Sequence, residues 1–521
     1  MNAGNGESLP QSPGLVASGS VDRSRAGAPW WMYRRPGGSQ QTDAPVAAGE
    51  GAPPTAEESR SVPAMPNATH ATDGGSGIGA VIVAVVLLLF LLASAHWFAQ
   101  PRLSRVLVPV IGLVATVGAG RLLVRRHPDE PWLPHLLVAG VIVKIIGCGL
   151  RYRTFGDSAD ASVYDRFGKQ FAAFWLHKAG AAAPTLTDLR KSNFLRWFTG
   201  VVYYVFGTDM IAGYFVFGLL AFIGSYLWYR AAAEALPSLD RRLFLILVMF
   251  APSIAFWPSS IGKEALMQFG IGSTALGTAH LLQNRVIRGL IVALPGAFLM
   301  AMVRPHLLGL VTLAAGAAYA AGRTRRRGAE DSASLFKPIG LVVVGFLVAF
   351  TVSQGAKSLG LPSLSLGSVQ NELDKTTAST GQGNSKFNNG GNSLSPLHLP
   401  QGAVTVLLRP FPYEVNTGLQ ILASLEGVAL AGFIIHRRSS VAMSLRKIRS
   451  SPFLFYCWTL TLLYAITFQA FANFGLLVRQ RSLVLPALYV LLCLDPSRDR
   501  VSTEPAALSA PQDLGIAGRG S

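Results

Sequence analysis

The sequence predicts an all-α, polytopic membrane protein: a helical bundle of about twelve transmembrane spans, with two long outer loops and an interfacial amphipathic helix. Three observations predict this fold class. Half of the 521 residues are hydrophobic and only 14% are charged, which is about half the charged fraction of a soluble domain. Apolar runs long enough to cross roughly 30 Å of hydrocarbon recur along the chain. Arginine and lysine are concentrated in every second connection between these runs.

The two ends of the chain differ in composition from its middle. Residues 1–76 are rich in glycine, proline, serine and alanine, and they cannot bury enough apolar surface to offset the entropy lost on ordering. We therefore predict a disordered cytoplasmic tail there. The first apolar run begins near Ile78, too far from Met1 to be a signal peptide. A transmembrane domain is predicted for residues 77–495, followed by a short cytoplasmic C-terminal tail over residues 496–521.

Apolar runs divide the transmembrane domain into predicted spans. Each run is close to the roughly 20 residues that an α-helix needs to cross a bilayer. The runs lie at residues 78–98, 105–121, 132–150, 210–229, 242–257, 264–283, 288–303, 306–322, 338–353, 417–435, 453–472 and 480–494. No run convincingly repeats another, so the sequence does not indicate a transporter built from inverted repeats.

The distribution of arginine and lysine predicts the orientation of these spans. Cytoplasmic loops of membrane proteins carry an excess of both residues. With the N-terminal tail inside, the cytoplasmic connections contain Arg121, Arg125, Arg126, Arg230, Arg241, Arg242, Arg285, Arg288, Arg323, Arg325, Arg326, Arg327, Arg437, Arg438, Arg446, Lys447 and Arg449. The sequence therefore predicts a multi-pass protein of the cytoplasmic (inner) membrane with both termini in the cytoplasm. The net charge of +18 follows from these loops and requires no nucleic-acid partner.

This orientation leaves two long outer loops, at residues 151–209 and 353–416. The first loop contains apolar residues spaced three and four apart, as on one face of a helix. They are Val163, Tyr164, Phe167, Phe171, Phe174 and Trp175. Such a helix is predicted to lie flat in the membrane interface, with its apolar face towards lipid.

Two ionisable residues, Lys144 and Glu426, lie within predicted spans. A charge at the centre of a bilayer costs roughly 2.5–3.5 kcal/mol on insertion scales. We therefore expect Glu426 to be protonated or paired inside the bundle. Lys144 lies nearer the outer end of its span, where it could reach Glu426 or extend to the interface, and a structural pair is favoured over a catalytic one. The three cysteines also fall in apolar runs, without the spacing of a metal site or of a disulfide framework.

Basic residues also occur in the outer connections, where the orientation rule predicts few of them. They are Lys263, Arg304, His306, Arg409, Arg479 and Arg481, each close to the end of a predicted span. A cluster of cations at the membrane boundary would suit the phosphate or pyrophosphate of a lipid-linked substrate. Contact with outer-leaflet headgroups explains any single one of these residues better. Their occurrence in four separate turns favours a shared site.

The segment at residues 252–264 is expected to end one helix and start the next. Pro258 ends the first helix, and Ser259 or Ser260 caps the second. Lys263 then lies in a first helical turn, where its charge and the helix N terminus together favour an anion. An ordinary helical hairpin with its charges in water explains the segment equally well.

Two aspartates, Asp157 and Asp160, open the first outer loop. Carboxylates just beyond the end of a span can act as a general base or hold a divalent cation. Solvated acids are common in loops, so each aspartate alone has a simpler explanation. Their place between a span and an interfacial helix favours a catalytic role. The sequence indicates no other cofactor.

These features resemble the GT-C class of polyprenyl-phosphate-dependent glycosyltransferases, among the bacterial multi-pass proteins of cell-surface polysaccharide assembly. The likeness is architectural and covers residues 132–493: a span followed by an acidic outer loop, an interfacial helix and outward-facing basic turns. The chain departs from many members because Asp157 and Asp160 are not adjacent, which leaves the identity of the catalytic base open. The resemblance implies membrane lipids and a lipid-linked sugar as partners.

The resemblance also implies roles for the candidate residues. One of the two aspartates would serve as base or metal ligand, while Lys263, Arg304 and Arg479 bind the phosphate from which the sugar leaves. An O-antigen-type polysaccharide polymerase is a second hypothesis, in which the arginines and His306 matter more than the aspartates. A third hypothesis is a transporter or a non-catalytic scaffold of envelope assembly.

Overall fold

The computed structural model describes residues 101–126, 128–156, 160–182, 184–326, 366–381, 385–387 and 399–497. All of them belong to one compact unit, Asp73–Ser521. Within these residues the secondary structure is helical, with only isolated bridges between extended residues. The all-α prediction is therefore confirmed. The predicted tails, the predicted spans at 78–98 and 338–353, and Asp157 lie outside the described residues.

The described residues form sixteen α-helices. In chain order they are α1 Pro101–Arg126, α2 Leu133–Phe155, α3 Asp160–Trp175, α4 Lys191–Phe206, α5 Met210–Ala235, α6 Arg241–Phe250, α7 Pro252–Phe256, α8 Lys263–Leu282, α9 Val286–Val303, α10 Pro305–Arg326, α11 Leu366–Thr380, α12 Leu399–Leu408, α13 Gly418–His436, α14 Arg438–Arg446, α15 Pro452–Phe468 and α16 Phe474–Leu492. Seven of the described helices are long and apolar enough to cross a membrane, namely α1, α2, α5, α9, α10, α13 and α16. The apolar helix α15 is shorter, at 17 residues.

The predicted span at residues 242–257 is wrong as a continuous helix. The chain instead forms α6, of 10 residues, and the short α7, of 5 residues. Pro252 lies at the junction, where it has no backbone N–H to donate and its ring would clash with the preceding helical turn. An α-helix of ten residues is only about 15 Å long, so α6 by itself does not cross the hydrocarbon layer.

Buried side chains hold the backbone around this break. The Lys144 ammonium donates to the carbonyl oxygen of Ile254 at 2.5 Å. The Glu426 carboxylate accepts from the backbone N–H of Ser253 at 2.9 Å and from its hydroxyl. Groups released from a broken helix need such partners inside a membrane domain. The expected pairing of Lys144 with Glu426 is wrong, because Glu426 instead forms an ion pair with Arg481 at 2.8 Å.

Helix α8 lies in the centre of the bundle, with almost every residue buried. It packs against α5 at a point of very close backbone approach. A Cβ atom built on Gly224 would lie 2.4 Å from the carbonyl oxygen of Gln268, and one on Gly272 would lie 2.1 Å from the carbonyl oxygen of Gly224. Only glycine allows helices to approach this closely. Helix α8, predicted as the span at 264–283, is not among the seven apolar helices and is covered by protein.

Helices α3 and α4 pack against each other in the first predicted outer loop. Tyr164 and Phe171, from the predicted apolar face of α3, are buried. The Tyr203 hydroxyl on α4 donates to the Asp165 carboxylate at 2.5 Å, and Lys169 pairs with the same carboxylate at 2.7 Å. The apolar face of α3 is therefore used in part for contacts within the protein, whereas Phe174 at its end is exposed.

Candidate functional site

Four cations from four elements line one cavity of about 180 Å³. Three of them are predicted binding residues, namely Lys263, Arg304 and Arg479. The fourth is Arg151, which was not predicted. The cavity wall also contains Asp160, Glu264, Tyr164, Tyr214 and residues 260–262. The structure therefore brings together residues that are far apart in the sequence, at one end of the helical bundle.

The ends of the helices place these cations. Arg151 is in the last part of α2, and Arg304 follows the last residue of α9. Lys263 is the first residue of α8, whereas Arg479 lies in the second turn of α16. Because each cation is carried by a different helix end, their charges can meet without lying in one sequence motif.

The N terminus of α8 has no side-chain cap. Its N-cap residue is Gly262, in an extended conformation, which has no side chain to accept from the first turn. The expected caps Ser259 and Ser260 do not perform this role, and the Ser259 hydroxyl donates to the carbonyl oxygen of Ala255 at 2.6 Å. Free N–H groups at the start of a helix attract anions. The backbone therefore adds to the positive character of the cavity.

Glu264 fixes the position of Arg304. The guanidinium of Arg304 contacts the Glu264 carboxylate at 2.9 Å and also donates to the side-chain oxygen of Gln480 at 3.1 Å. Glu264 lies in the first turn of α8, where a carboxylate is favoured by the helix dipole. The pair holds one guanidinium in place beside Lys263, but also neutralises one of the positive charges.

Arg151 is the most unusual side chain of the cavity. The residue is only 5% exposed, and its guanidinium carbon lies 4.4 Å from the ring centre of Phe155 and 4.7 Å from that of Trp257. Its Nε and Nη1 atoms are buried and have no hydrogen-bond partner among the described residues. Buried donors of this kind are nearly always paired, so Arg151 carries unused capacity to bind an anion.

Arg479 shares the aromatic support of Arg151. Its guanidinium carbon lies 5.1 Å from the ring centre of Trp257, and its Nε atom is likewise buried without a partner in the described part of the chain. The two arginines therefore contact one indole ring. Aromatic faces stabilise guanidinium groups without consuming their N–H donors. These donors remain free for a ligand.

Two tyrosines complete the polar wall. Tyr214 is 1% exposed and its hydroxyl makes no hydrogen bond within the described residues. Tyr164 is also buried, and burial raises the pKa of its phenol above the ordinary value. The Tyr164 phenol is therefore protonated at neutral pH, and both tyrosines can donate to an anion in the cavity.

Of the two predicted catalytic aspartates, the structure describes only Asp160. It is the first residue of α3, is exposed, and lies on the cavity wall. A carboxylate at this point is accessible to a substrate held by the cations. The described residues contain no group of three or more His, Cys, Asp or Glu side chains arranged for a metal ion.

Arg409 and His306 are not among the residues that line this cavity. Arg409 pairs with Glu414 at 2.8 Å, and its guanidinium carbon lies 4.7 Å from the ring centre of Phe387. His306 is the second residue of α10, and its ring centre lies 6.3 Å from that of Phe468. The structure therefore does not bring all the predicted binding residues to one place.

Arg481 has a structural environment. Its side chain is fully buried, pairs with Glu426, and donates to the carbonyl oxygens of Leu407, Arg409 and Ala423, each at 3.2 Å. These contacts connect α16 to α13 and to the end of α12. The prediction grouped Arg481 with Arg479 because both lie near the outer end of one predicted span, but residues two positions apart on a helix point in different directions.

Sequence reasoning missed Arg151, Trp257 and Tyr214. Arg151 carried a usable signal, because it is a further arginine at the outer end of a predicted span. Nothing in the sequence indicates that Trp257, after the break at Pro252, contacts two arginines. The cavity is therefore evident only from the structure.

No family model, no curated protein and no solved structure matches this chain.

Proposed function

We propose that the chain is a glycosyltransferase-like protein of the cytoplasmic membrane that acts on lipid-linked sugars at the outer membrane face. The cavity would bind the phosphate through which the sugar is joined to its lipid. One observation carries this proposal: four cations from separate helices converge on a cavity in which buried arginine donors have no partner. Phosphate oxygens are the acceptors that arginine binds best.

The orientation of the cavity follows from the arginines at the other ends of the same helices. Helix α2 follows Arg125 and Arg126 and ends near the cavity, and α9 follows Arg285 and ends at Arg304. Since arginine-rich connections face the cytoplasm, the cavity opens to the outer side. We propose the topology of about twelve spans, with both termini inside, on the same grounds.

The proposed reaction is a sugar transfer to a hydroxyl group. The acceptor oxygen forms a bond to the anomeric carbon of the sugar while the bond from that carbon to the phosphate oxygen breaks. The electron pair leaves on the phosphate, where Arg151, Lys263, Arg304 and Arg479 stabilise the negative charge. The proton of the acceptor goes to a carboxylate. Asp160 is the proposed base, with Asp157 three positions before it in the sequence, and the two would supply ligands if a divalent cation takes part.

An O-antigen-type polymerase is the second candidate function. It would perform the same transfer between two lipid-linked chains. The composition of the cavity favours it, because cations outnumber carboxylates and Glu264 is already paired with Arg304. In such an enzyme the arginines should matter more than Asp160, so substitutions at the two kinds of residue distinguish the candidates.

The proposal is tested by deleting the gene and restoring it with variants. Deletion should cause lipid-linked sugars to accumulate and surface glycans to be lost. Arg304→Gln should fail to restore them, whereas Arg304→Lys should restore them in part because lysine lacks the bidentate fork. Arg153→Gln, at an exposed position near Arg151 on α2, is the matched control and should restore them fully. Membrane expression is measured in each strain.

Two results would contradict the proposal. If deletion leaves both lipid-linked and surface glycans unchanged, the protein does not act on lipid-linked sugars. If Asp157→Asn together with Asp160→Asn retains full activity, neither aspartate is the base. If Arg304→Gln is active as well as the double aspartate variant, the results would favour a transporter or a non-catalytic scaffold.

A further inference from the structure

We infer that the cavity binds a diphosphate-linked lipid in preference to a monophosphate-linked one. This inference rests on the proposed function and adds the class of substrate that the same site takes. It is carried by the charge of the cavity, by the grouping of its donors and by its size, which are independent observations.

The charge of the cavity matches a diphosphate. Its described wall contains the cations Arg151, Lys263, Arg304 and Arg479 and the carboxylates Asp160 and Glu264, so two positive charges are left over. A sugar joined to a lipid by one phosphate carries a single negative charge there, whereas a diphosphate link carries two. A diphosphate balances the charge of this described wall, and an unbalanced charge in a partly buried site is unfavourable.

The donors form two groups rather than one. In the first group, Arg151 and Arg479 contact the ring of Trp257 and have buried donors without a partner. In the second group, Lys263 and Arg304 lie at the uncapped N terminus of α8. Each group suits one phosphate, and two phosphates joined by a bridging oxygen would use both groups.

The size of the cavity also fits two phosphate groups. Its volume of about 180 Å³ is several times the roughly 30 Å³ that one water molecule occupies in the liquid. The cavity has therefore room for more than one group of oxygen atoms. A monophosphate bound by the second group would leave the buried donors of Arg151 and Arg479 without an acceptor, which is costly.

The test measures binding of defined phosphates to the full-length protein in phosphatidylcholine nanodiscs. The probes are farnesyl diphosphate and farnesyl phosphate, each as its methyl ester so that they carry two and one negative charges as the sugar-linked lipids do, together with inorganic pyrophosphate. Binding is measured by calorimetry. Farnesyl diphosphate should bind about tenfold more tightly than farnesyl phosphate, as one further charge-assisted contact would give. It should also bind more tightly than pyrophosphate, which has no lipid chain.

Three variants assign this preference to the cavity. Arg151→Gln should reduce the preference for farnesyl diphosphate, because the first donor group loses its best-placed member. Arg479→Gln tests the same group at a half-buried position, and so does not depend on how well the protein tolerates a change at Arg151. Arg153→Gln, the exposed control, should keep the preference. The midpoint of thermal unfolding is recorded for each variant.

The outcomes separate this inference from the proposed function. Equal affinity for the two farnesyl compounds would overturn the diphosphate inference and leave a phosphate site intact. Equal affinity for pyrophosphate and farnesyl diphosphate would overturn the lipid-linked part, because the ligand would then be a free anion. If neither farnesyl compound binds, the inference fails whatever the glycans show. The proposed function fails as well only if the deletion strain has normal glycans.

Discussion

Removing the carboxylate of Glu426 is expected to destabilise the bundle strongly. Its side chain is 7% exposed and pairs at 2.8 Å with Arg481, whose side chain is fully buried. In Glu426→Leu the guanidinium would remain inside the protein without a counter-charge. Breaking a buried ion pair in this way costs about 3–5 kcal/mol. The Ser253 N–H and hydroxyl also lose their acceptor, which places the expected loss at the upper end of that range.

Thermal unfolding of the purified protein in detergent measures this loss. Tryptophan fluorescence is a suitable signal, and the midpoint should fall by on the order of 5 °C for a chain of this size. Arg153→Gln is the matched control, because it also removes a charge but at an exposed position. Surface substitutions usually change stability little, so the control should unfold close to the unmodified protein.

A double variant tests the cause of the loss. If the cost in Glu426→Leu comes from the uncompensated guanidinium, adding Arg481→Met should remove that part of it. The double variant should then be about as stable as Arg481→Met alone, which still lacks the donors to three carbonyl groups. Losses that simply add, or a Glu426→Leu midpoint equal to that of the unmodified protein, would refute the reasoning.

Three other predictions concern packing, hydrogen bonding and topology. Gly224→Ala should lower stability by about 1–3 kcal/mol because a Cβ has no room against α8, whereas Gly149→Ala, with open space around it, should not lower the unfolding midpoint. Tyr203→Phe should cost about 1–2 kcal/mol by removing the buried donor to Asp165, and an unchanged midpoint would contradict this. Single cysteines at positions 20, 380 and 515 should be labelled from outside intact cells only at 380, and labelling of either other position would contradict the proposed topology.

The positions of charged residues along the sequence indicated much of the candidate site. Lys263, Arg304 and Arg479 stood out because an orientation rule based on lysine and arginine predicts few of them in outer connections. All three line the cavity. The same rule selected Arg409 and Arg481, which have protein partners instead. The rule reports on which side of the membrane a residue lies, and this information does not include which way a side chain points around its helix axis.

The partners of the buried charges show the limit of sequence reasoning most clearly. Lys144 and Glu426 were expected to meet because both lie in apolar runs, where a charge needs a partner. Both do have partners, but these are backbone groups around the break at Pro252 and, for Glu426, also Arg481. A charge in an apolar run needs a partner because lipid cannot solvate it, and this need follows from the composition of the run. The choice of partner depends on which helices pack together.

The sequence by itself determined that this chain is helical, that its apolar runs belong in a membrane and that its charges lie at the ends of those runs. These properties follow from local composition, because each helix must satisfy its own backbone and bury its own apolar residues in lipid or protein. The tertiary structure decided that Arg151 and Arg479 share the ring of Trp257, and that α8 begins at the cavity without a cap. Such contacts join residues separated by more than one hundred positions, and the close glycine packing between helices has no local signal in the sequence.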